Sequence, residues 1–411
     1  MSASANRSAP PPAALPLAGA AAIRAAVDAA VTGAPGGPPW EYARSVLASI
    51  GRAGGLRACL SQDAEDGSEG LALDGLRTLI QRLAVRAPSG VTLAACVQAA
   101  LFIPLMAELA DGAQRRVLDE VLDGEAVASV AISDAGIAGS DPAAMATTLR
   151  RSGDDWILSG AKDWVTGACI ASYVLVCART GAEDRHFSNF SLVLVPVGLP
   201  GVTIRPRDTA VMRHAGLGSV RFTEVRLPYR ALVGRQGRGL AYFLRYVATE
   251  RLAGGFWATA IGRDQVRRTA AWLRRRDVAG GSLWDNPAVR RQLAEAAIGV
   301  RLIEALTEDI LRQRATAPPP TGDTAALKAA VGPWLTSALG TCVQLHGADG
   351  LTTQGGLFQL LADARAFGIA GGTTETMLEL VAQSELVLGD PGAEAVDAPE
   401  HGKESHGQSV R

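Results

Sequence analysis

The sequence has no excess of charge of either sign. Its 40 Lys and Arg residues and 41 Asp and Glu residues give a formal net charge of −1 at pH 7, so no general attraction to nucleic acid or to an anionic membrane surface is expected. Cysteine is scarce, and the 5 cysteines form no CxxC pair and have no histidine at zinc-ligand spacing. We therefore expect no metal site, and reduced, mostly buried thiols in a reducing compartment. The cytoplasm is expected rather than the mitochondrial matrix, because the proline run at residues 10–12 argues against an amphipathic transit helix.

Two further patterns are missing. The longest apolar runs, such as residues 93–106, are interrupted or too short for the span that a bilayer requires, so no membrane segment is expected. No GxGxxG motif follows a strand-like run, and helical and strand-like segments do not alternate. A doubly wound dinucleotide-binding fold is therefore disfavoured.

The segments that are present follow one another in three blocks. Apolar residues recur at helical spacing over residues 21–125, short β-branched or alternating runs fill residues 126–230, and helical spacing returns over residues 231–388. Residues 1–20 and 389–411 have little to bury and are predicted to be disordered. The sequence thus predicts an α+β multidomain chain, with a helical domain, a middle β domain and a second helical domain.

The clearest helical pattern lies in residues 241–262, AYFLRYVATERLAGGFWATAIG. Apolar positions recur along one face, and Glu250 falls in the middle of that face. Loss of hydration there would raise the pKa of the carboxyl group towards the range that suits a general base near pH 7. The alternative is a glutamate that reaches the edge of the face or pairs with a neighbour such as Arg251. The helical pattern alone does not decide between the two.

Four motifs resemble signatures of the acyl-CoA dehydrogenase family and follow one another in the order found in that family. The resemblance covers about residues 36–388 and implies an N-terminal α-helical domain, a middle β-barrel or sandwich and a C-terminal four-helix bundle. The matching segments are SDAGIAGSD (133–141, similar to TEPGAGSD with one extra residue), KDWVTG (162–167, similar to KxWITN), QLHGADG (344–350, similar to QxxGGxG) and DAR (363–365) followed by GTTE (372–375), similar to RDA…EGTxE.

The resemblance implies a flavoprotein that contains FAD. It places Trp164 near the isoalloxazine ring and Thr166 at the N5 edge, on one strand face, and it assigns Arg276 to the FAD pyrophosphate of a neighbouring subunit. Ser140 and Arg251 are also expected near the substrate. The full set of residues implied to bind FAD is Ile132, Ser133, Gly139, Ser140, Trp164, Thr166, Arg276, Gln344, Gly347, Ala348, Thr373 and Glu375.

The chain departs from the commonest family pattern at the catalytic base. Most members have a glutamate directly before the Gly-Thr of EGT, where this chain has Gly371. The isovaleryl-CoA and long-chain subfamilies instead supply a glutamate from a helix in an ERL context, which Glu250 matches here. By resemblance, Glu250 removes the α-proton of an acyl thioester, the β-hydride passes to FAD N5, and the Gly371 N–H donates to the thioester oxygen.

The resemblance implies an acyl thioester dehydrogenase and leaves several points open. Its substrate would be carried by coenzyme A or by an acyl carrier protein, its electrons would pass to an electron-transferring flavoprotein or another acceptor, and it would be a homo-oligomer, most simply a tetramer. Two other functions stay open on the same fold: a flavin-dependent monooxygenase and a non-catalytic, DNA-associated member. Glu250 argues against the first, and the balanced charge argues against the second.

Overall fold

The computed structural model describes residues 17–33, 36–61, 70–141, 144–181, 187–314 and 321–388. Of the two segments predicted to be disordered, residues 1–16 and 389–411 lie outside the described residues. Residues 17–20 already belong to the first helix.

The N-terminal part is helical because its apolar residues recur at helical spacing and pack into one core. In α2, for example, Val46, Leu47 and Ile50 are fully buried on one side. Asp111 and Gln114 form a capping box at the start of α6. The helices are α1 (Leu17–Ala30), α2 (Pro39–Arg52), α3 (Leu73–Arg86), α4 (Ser89–Cys96), α5 (Ile103–Leu109) and α6 (Gly112–Leu122), with a small ladder of β1 (Leu60–Ser61) and β2 (Gly70–Leu71) between α2 and α3.

One stretch differs from its sequence-based description. A π-helical segment, Val97–Phe102, joins α4 to α5, so that Ser89–Leu109 forms 21 continuous helical residues with a mean hydropathy of 1.9 in its most apolar window. The expectation that the apolar run at residues 93–106 is too short to span a bilayer was therefore wrong as a statement about length. Because 94% of that window is buried inside the fold, the segment is a core helix of this structure.

The middle part is an 8-stranded sheet whose strands are rich in β-branched residues. Seven of its strands lie side by side in the order β10-β7-β6-β4-β5-β9-β8, mostly in antiparallel pairs. The eighth strand, β3, pairs in parallel with β6. One face carries its own core, which includes Leu158, Val176 and Val193. The strands are β3 (Ala128–Ala131), β4 (Thr148–Ser152), β5 (Asp155–Val165), β6 (Tyr173–Arg179), β7 (Phe190–Pro196), β8 (Val202–Pro206), β9 (Gly218–Pro228) and β10 (Leu232–Val233).

The C-terminal part is again helical, which confirms the predicted order of helices, strands and helices. Its longest helix, α7 (Gly239–Arg275), is almost entirely buried over residues 251–262 and packs against α3 and the neighbouring bundle helices. A short hairpin of β11 (Asp277–Val278) and β12 (Gly281–Ser282) follows that helix. The helices are α7 (Gly239–Arg275), α8 (Pro287–Arg314), α9 (Thr321–His346), α10 (Leu357–Ala364), α11 (Thr374–Ala382) and α12 (Glu385–Leu388).

Two glycines set the spacing of the bundle. A Cβ atom at Gly262 of α7 or Gly299 of α8 would lie 2.6 or 1.9 Å from the ring of Trp334, which belongs to α9. The absence of both side chains therefore lets one indole ring fill the space among three helices.

Candidate active site

An apolar pocket lies between α4, α7, α9 and the segment that follows α10. Its empty space is about 450 Å³ when the open solvent at its mouth is included. Leu93, Met212, Trp257 and Phe367 supply much of its lining. Its ionisable lining residues are Cys96, Glu250, Arg251 and Lys328. Charged groups are thus confined to one part of an otherwise apolar cavity.

Glu250 has an unpaired oxygen atom in this pocket. The residue as a whole is half-buried, but its Oε2 atom is fully covered and accepts no hydrogen bond in the described part of the chain. Burial raises the pKa of the carboxyl group, and the positive charges of Lys328 and, to a lesser extent, Arg251 oppose that increase. A carboxylate without a hydrogen-bond donor is available to accept a proton from a molecule bound in the pocket.

Gly371 directly faces that carboxylate. A Cβ atom at this position would lie 2.7 Å from Glu250 Oε2, and the glycine has a φ of +72°. A side chain here would therefore meet both a close contact and the left-handed backbone region, which L-residues adopt at a cost. The structure thus brings together Glu250 and Gly371, the two residues predicted to be catalytic.

Arg251 lies next to the same pair but has a partner within the chain. Its side chain is buried, and its Nε donates a hydrogen bond to the Gly371 carbonyl oxygen at 3.3 Å. Burial lowers the pKa of the guanidinium group, and Glu250 partly offsets that effect. The substrate contact predicted for Arg251 remains a prediction, because the structure gives this residue a role in holding the backbone at Gly371.

The residues predicted along the flavin lie around a turn after β3. Ile132 and Ser133 are half-buried, and Gly139 and Ser140 are exposed. A Cβ atom at Gly139 would lie 2.9 Å from Ser133 Oγ, so the turn folds back closely on itself. Lys162, which is fully buried, donates to the Ile132 carbonyl oxygen at 2.6 Å and thereby fixes the start of the turn.

A buried ion pair holds the other side of that turn. Lys162 pairs with Asp134, whose carboxylate also accepts hydrogen bonds from the backbone N–H groups of Ala146 and Thr147 and from the Thr147 hydroxyl group. The pair is therefore fully hydrogen-bonded, the condition under which a buried pair is tolerated. The turn that carries Gly139 and Ser140 is anchored at its base.

Trp164 and Thr166 do not alternate on one strand face, which corrects the expectation from the sequence. Lys162 pairs with Val220 and Val165 with Gly218, so β5 carries one residue more than β9 between these pairs. Within this bulge Trp164 has a φ of +55° and is 61% exposed, and Thr166 lies beyond the end of β5. The bulge turns the indole outward.

A second pocket lies beside the segment that links α10 to α11. Its empty space is about 680 Å³ with the open solvent included, and it is lined by Arg365, Thr336, Thr373, Thr374 and Glu375, among others. Thr373 caps α11, and its hydroxyl group accepts a hydrogen bond from the backbone of that helix. A guanidinium group, several hydroxyl groups and a helix N-terminus are donors that suit a diphosphate. Arg365, Thr336 and Thr373 therefore fit the diphosphate of the predicted dinucleotide, and no role had been assigned to the first two. The Glu375 carboxylate only accepts hydrogen bonds, so it suits a hydroxyl group of that dinucleotide and not its phosphates.

Four residues predicted to bind the same cofactor lie elsewhere. Arg276 follows the end of α7, where its guanidinium lies over the Trp272 ring at 5.5 Å and 4.0 Å from Asp349. The structure does not bring the Arg276 guanidinium group together with Glu250. The other three of these predicted FAD-binding residues are exposed around the end of α9 and are Gln344, Gly347 and Ala348.

Sequence reasoning missed Lys328. This residue is buried, and its Nζ donates a hydrogen bond to the Phe367 carbonyl oxygen in the first pocket. The available signal was one charged residue within the apolar run of residues 325–331.

Within the described residues no group of three or more His, Cys, Asp or Glu side chains could hold a metal ion. All 5 cysteines are free, and four of them are buried, as expected.

Comparisons with known proteins identify the family. The models of the acyl-CoA dehydrogenase middle domain and C-terminal domain match residues 129–225 and 237–386, together more than half of the chain. The long-chain specific acyl-CoA dehydrogenase of Mus musculus mitochondria is 27% identical over 351 residues, which are 84% of this chain and 80% of that protein.

Solved structures share the fold over most of the chain. An acyl-CoA dehydrogenase from Geobacillus kaustophilus is 22% identical with a TM-score of 0.75, covering 83% of this chain and 89% of its own. PigA with FAD and proline is 18% identical with a TM-score of 0.80, covering 90% of this chain and 97% of its own. These structures show the fold, and the matches to both domain models show that the chain belongs to the acyl-CoA dehydrogenase family.

Proposed function

We propose that this protein is an FAD-dependent dehydrogenase of acyl thioesters in which Glu250 is the base that removes the α-proton. One observation carries the proposal: the fully covered, unpaired Oε2 of Glu250 in an apolar pocket, directly facing a glycine where most family members have their catalytic glutamate. A carboxylate on α7 thus takes the place of the usual one on the segment after α10. This is the arrangement of the isovaleryl-CoA and long-chain subfamilies.

The cofactor is FAD, which when bound accepts the hydride from the substrate β-carbon. Arg365, Thr336 and Thr373 are suited to hold its diphosphate, since they combine a guanidinium group and hydroxyl groups at the start of α11. The turn at Gly139 and Ser140 would contact the flavin.

The chain itself supplies groups for the proton transfer. The α-proton of a thioester is weakly acidic, so negative charge developing on the thioester oxygen requires donors aimed at it. The Gly371 N–H has no hydrogen-bond acceptor in the described part of the chain. It can therefore donate to the thioester oxygen while Glu250, on the facing side, receives the proton.

The apolar lining supports the same chemistry. Trp257 and Phe367 pack with their ring centroids 4.5 Å apart and, with Leu93 and Met212, place apolar surface beside the covered Oε2 of Glu250. A dry site strengthens each electrostatic interaction with the developing charge. It also explains why the carboxyl group has a raised pKa without a hydrogen-bonded partner.

The carrier of the acyl group and the electron acceptor are further parts of the proposal. We favour acyl-CoA as the substrate class, since the mouse relative is named for it, and acyl carrier protein is the alternative. An electron-transferring flavoprotein is the proposed acceptor, a homotetramer the proposed assembly, and the cytoplasm the proposed location.

The experiment that tests the proposal follows flavin bleaching after an acyl thioester is added without oxygen. Glu250→Gln keeps the shape of the side chain but cannot take a proton at neutral pH. We expect its FAD content to be unchanged and its rate of flavin reduction to fall by ~10² to 10⁴, the usual effect of losing a general base. Coenzyme A and carrier-protein thioesters of the same acyl group, compared on the wild type, identify the carrier.

Glu308→Gln is a matched control, because Glu308 pairs with Arg77 away from the pocket. Its rate of flavin reduction should remain close to wild type. A Glu250→Gln protein that is reduced as fast as the wild type would overturn the base assignment. The flavin monooxygenase alternative, which needs no α-proton base, would then explain the protein better.

A further inference from the structure

We propose that Lys328 is a positioning residue for proton transfer: its buried ammonium group fixes the segment that carries Gly371 and supplies positive charge to the surroundings of Glu250. This inference rests on the proposed function, because it concerns the base of that reaction. It assigns a role to a buried cation that proton abstraction by Glu250 does not itself require.

The first support is the contact that Lys328 makes. The residue lies on α9, is 5% exposed and donates a hydrogen bond from Nζ to the carbonyl oxygen of Phe367. The Phe367 ring packs against Trp257 of α7. Lys328 therefore ties the start of the 367–371 segment to α9, while the aromatic contact ties it to α7.

The second support is a matching contact at the other end of the segment. Arg251 donates from Nε to the Gly371 carbonyl oxygen. Two buried cations from two different helices thus hold the carbonyl groups of Phe367 and Gly371. Because Gly371 has left-handed backbone geometry, these contacts favour one orientation of a peptide that would otherwise be flexible. That orientation directs Gly371 towards the Glu250 carboxylate.

The third support is the balance of charge around Glu250. Arg251 faces it from α7, Lys328 from α9 and the thiol of Cys96 from α4, whereas the 366–371 segment contributes only backbone groups. Burial, together with the nearby Glu250, raises the pKa of the Cys96 thiol, which stays uncharged near pH 7. One carboxylate therefore faces two cations.

This balance suits the movement of charge during the reaction. When the α-carbon–hydrogen bond breaks, the proton goes to Glu250 and neutralises it, and the electron pair left on carbon delocalises onto the thioester oxygen. The negative charge thereby moves a short distance within the same cavity, and the two cations remain near it. Fixed positive charge in a dry site stabilises such a state without reorganisation.

The ammonium group is charged at neutral pH and loses its proton not far above it. Burial lowers the pKa of Lys328 to about 8, with Glu250 opposing and Arg251 reinforcing the change. The rate of flavin reduction should therefore show an acidic limb from Glu250 and a basic limb near pH 8 from Lys328. Removing the cation should move the acidic limb to higher pH, because Lys328 lowers the pKa of Glu250, and should abolish the basic limb.

The test compares wild type with Lys328→Gln, which keeps an N–H donor but removes the charge. Lys328→Met, which suits the apolar surroundings, is measured in parallel in case the first variant does not fold. Flavin reduction by one acyl thioester is followed from about pH 6 to pH 9. We expect the variants to be at least ~10-fold slower than wild type at about pH 6 and to approach wild type above about pH 8.

A second measurement needs neither flavin nor substrate. A lysine whose pKa is about 8 in the folded state and 10.5 in the unfolded state stabilises the protein fully above pH 10.5, and this contribution is lost as the pH falls through 8. The stability of wild type relative to Lys328→Gln should therefore increase as the pH rises between these values. Arg77→Gln, which breaks a half-buried ion pair between α3 and α8, is the control and should lack this trend.

Two results would overturn the inference. One is a pH–rate profile of Lys328→Gln that matches wild type after scaling; the other is a stability difference that does not change with pH. Either would make Lys328 a structural residue only. If Glu250→Gln, measured alongside, is inactive in the same experiment, the proposed function survives that failure. If Glu250→Gln is fully active, the proposed function itself fails.

Discussion

Moving the carboxylate from the helix to the facing segment tests the geometry of the site directly. The change is Gly371→Glu in the Glu250→Gln protein. A Cβ atom at residue 371 would point at Glu250 Oε2 from 2.7 Å, so a glutamate there starts from the right side of the pocket. We expect the double variant to recover part of the flavin reduction that Glu250→Gln loses.

The structure also sets a limit on that recovery. A non-glycine residue at a φ of +72° costs about 1–2 kcal/mol. The side chain at residue 250 must also withdraw by about 0.7 Å for its contact with the new Cβ to lengthen from 2.7 Å to an ordinary 3.4 Å. Because a misplacement of ~1 Å can cost ~10² in rate, we expect a rate at least ~10-fold above Glu250→Gln and ~10- to 10²-fold below wild type.

The assay is anaerobic, single-turnover bleaching of the flavin, with FAD content measured first. Gly371→Ala in the Glu250→Gln protein is the control, since it has the same backbone strain and Cβ contact but no carboxylate, and it should recover nothing. A double variant that retains FAD yet is no faster than this control would refute the idea that residues 250 and 371 face the same α-carbon.

Two further predictions concern the cofactor and the assembly. The purified protein should be yellow and release FAD, because Arg365, Thr336 and Thr373 form a site for a diphosphate that FMN lacks; chromatography that finds FMN alone would contradict this. Light scattering should give the mass of a homo-oligomer, most simply a tetramer, because Arg276 and Gln344 lie exposed at helix ends where a neighbour's cofactor could reach them; a monomer with tightly bound flavin would exclude it.

The order of structural blocks and the position of Glu250 follow from local periodicity. The helical stripe through residues 241–262 places Glu250 among buried residues such as Val247 and Trp257, and the structure has it on the pocket side of α7. Periodicity succeeds here because a residue's face on a long helix depends only on its spacing from its neighbours.

What could not be predicted depends on contacts between distant segments. The outward turn of Trp164 arises from a bulge that exists only once β5 pairs with β9. The role of Lys328 depends on α9 packing against a segment about 40 residues later in the chain. The hydrogen bond from Arg251 to Gly371 spans 120 positions. No local pattern in the sequence encodes these partners.

The length of α7 determines which subunit of an assembly is affected by the loss of a given residue. Glu250 lies on α7 and Arg276 directly follows the last residue of that helix, so at ~1.5 Å per residue about 39 Å separates them along the helix axis. The diphosphate lies in the middle of FAD, so it cannot extend over this distance to Arg276 while the flavin lies beside a substrate at Glu250 of the same chain. If Arg276 binds a diphosphate, it is that of another subunit. Loss of Arg276 would then weaken the neighbour's cofactor and leave the chain's own base intact, so that two differently damaged chains together retain one complete site.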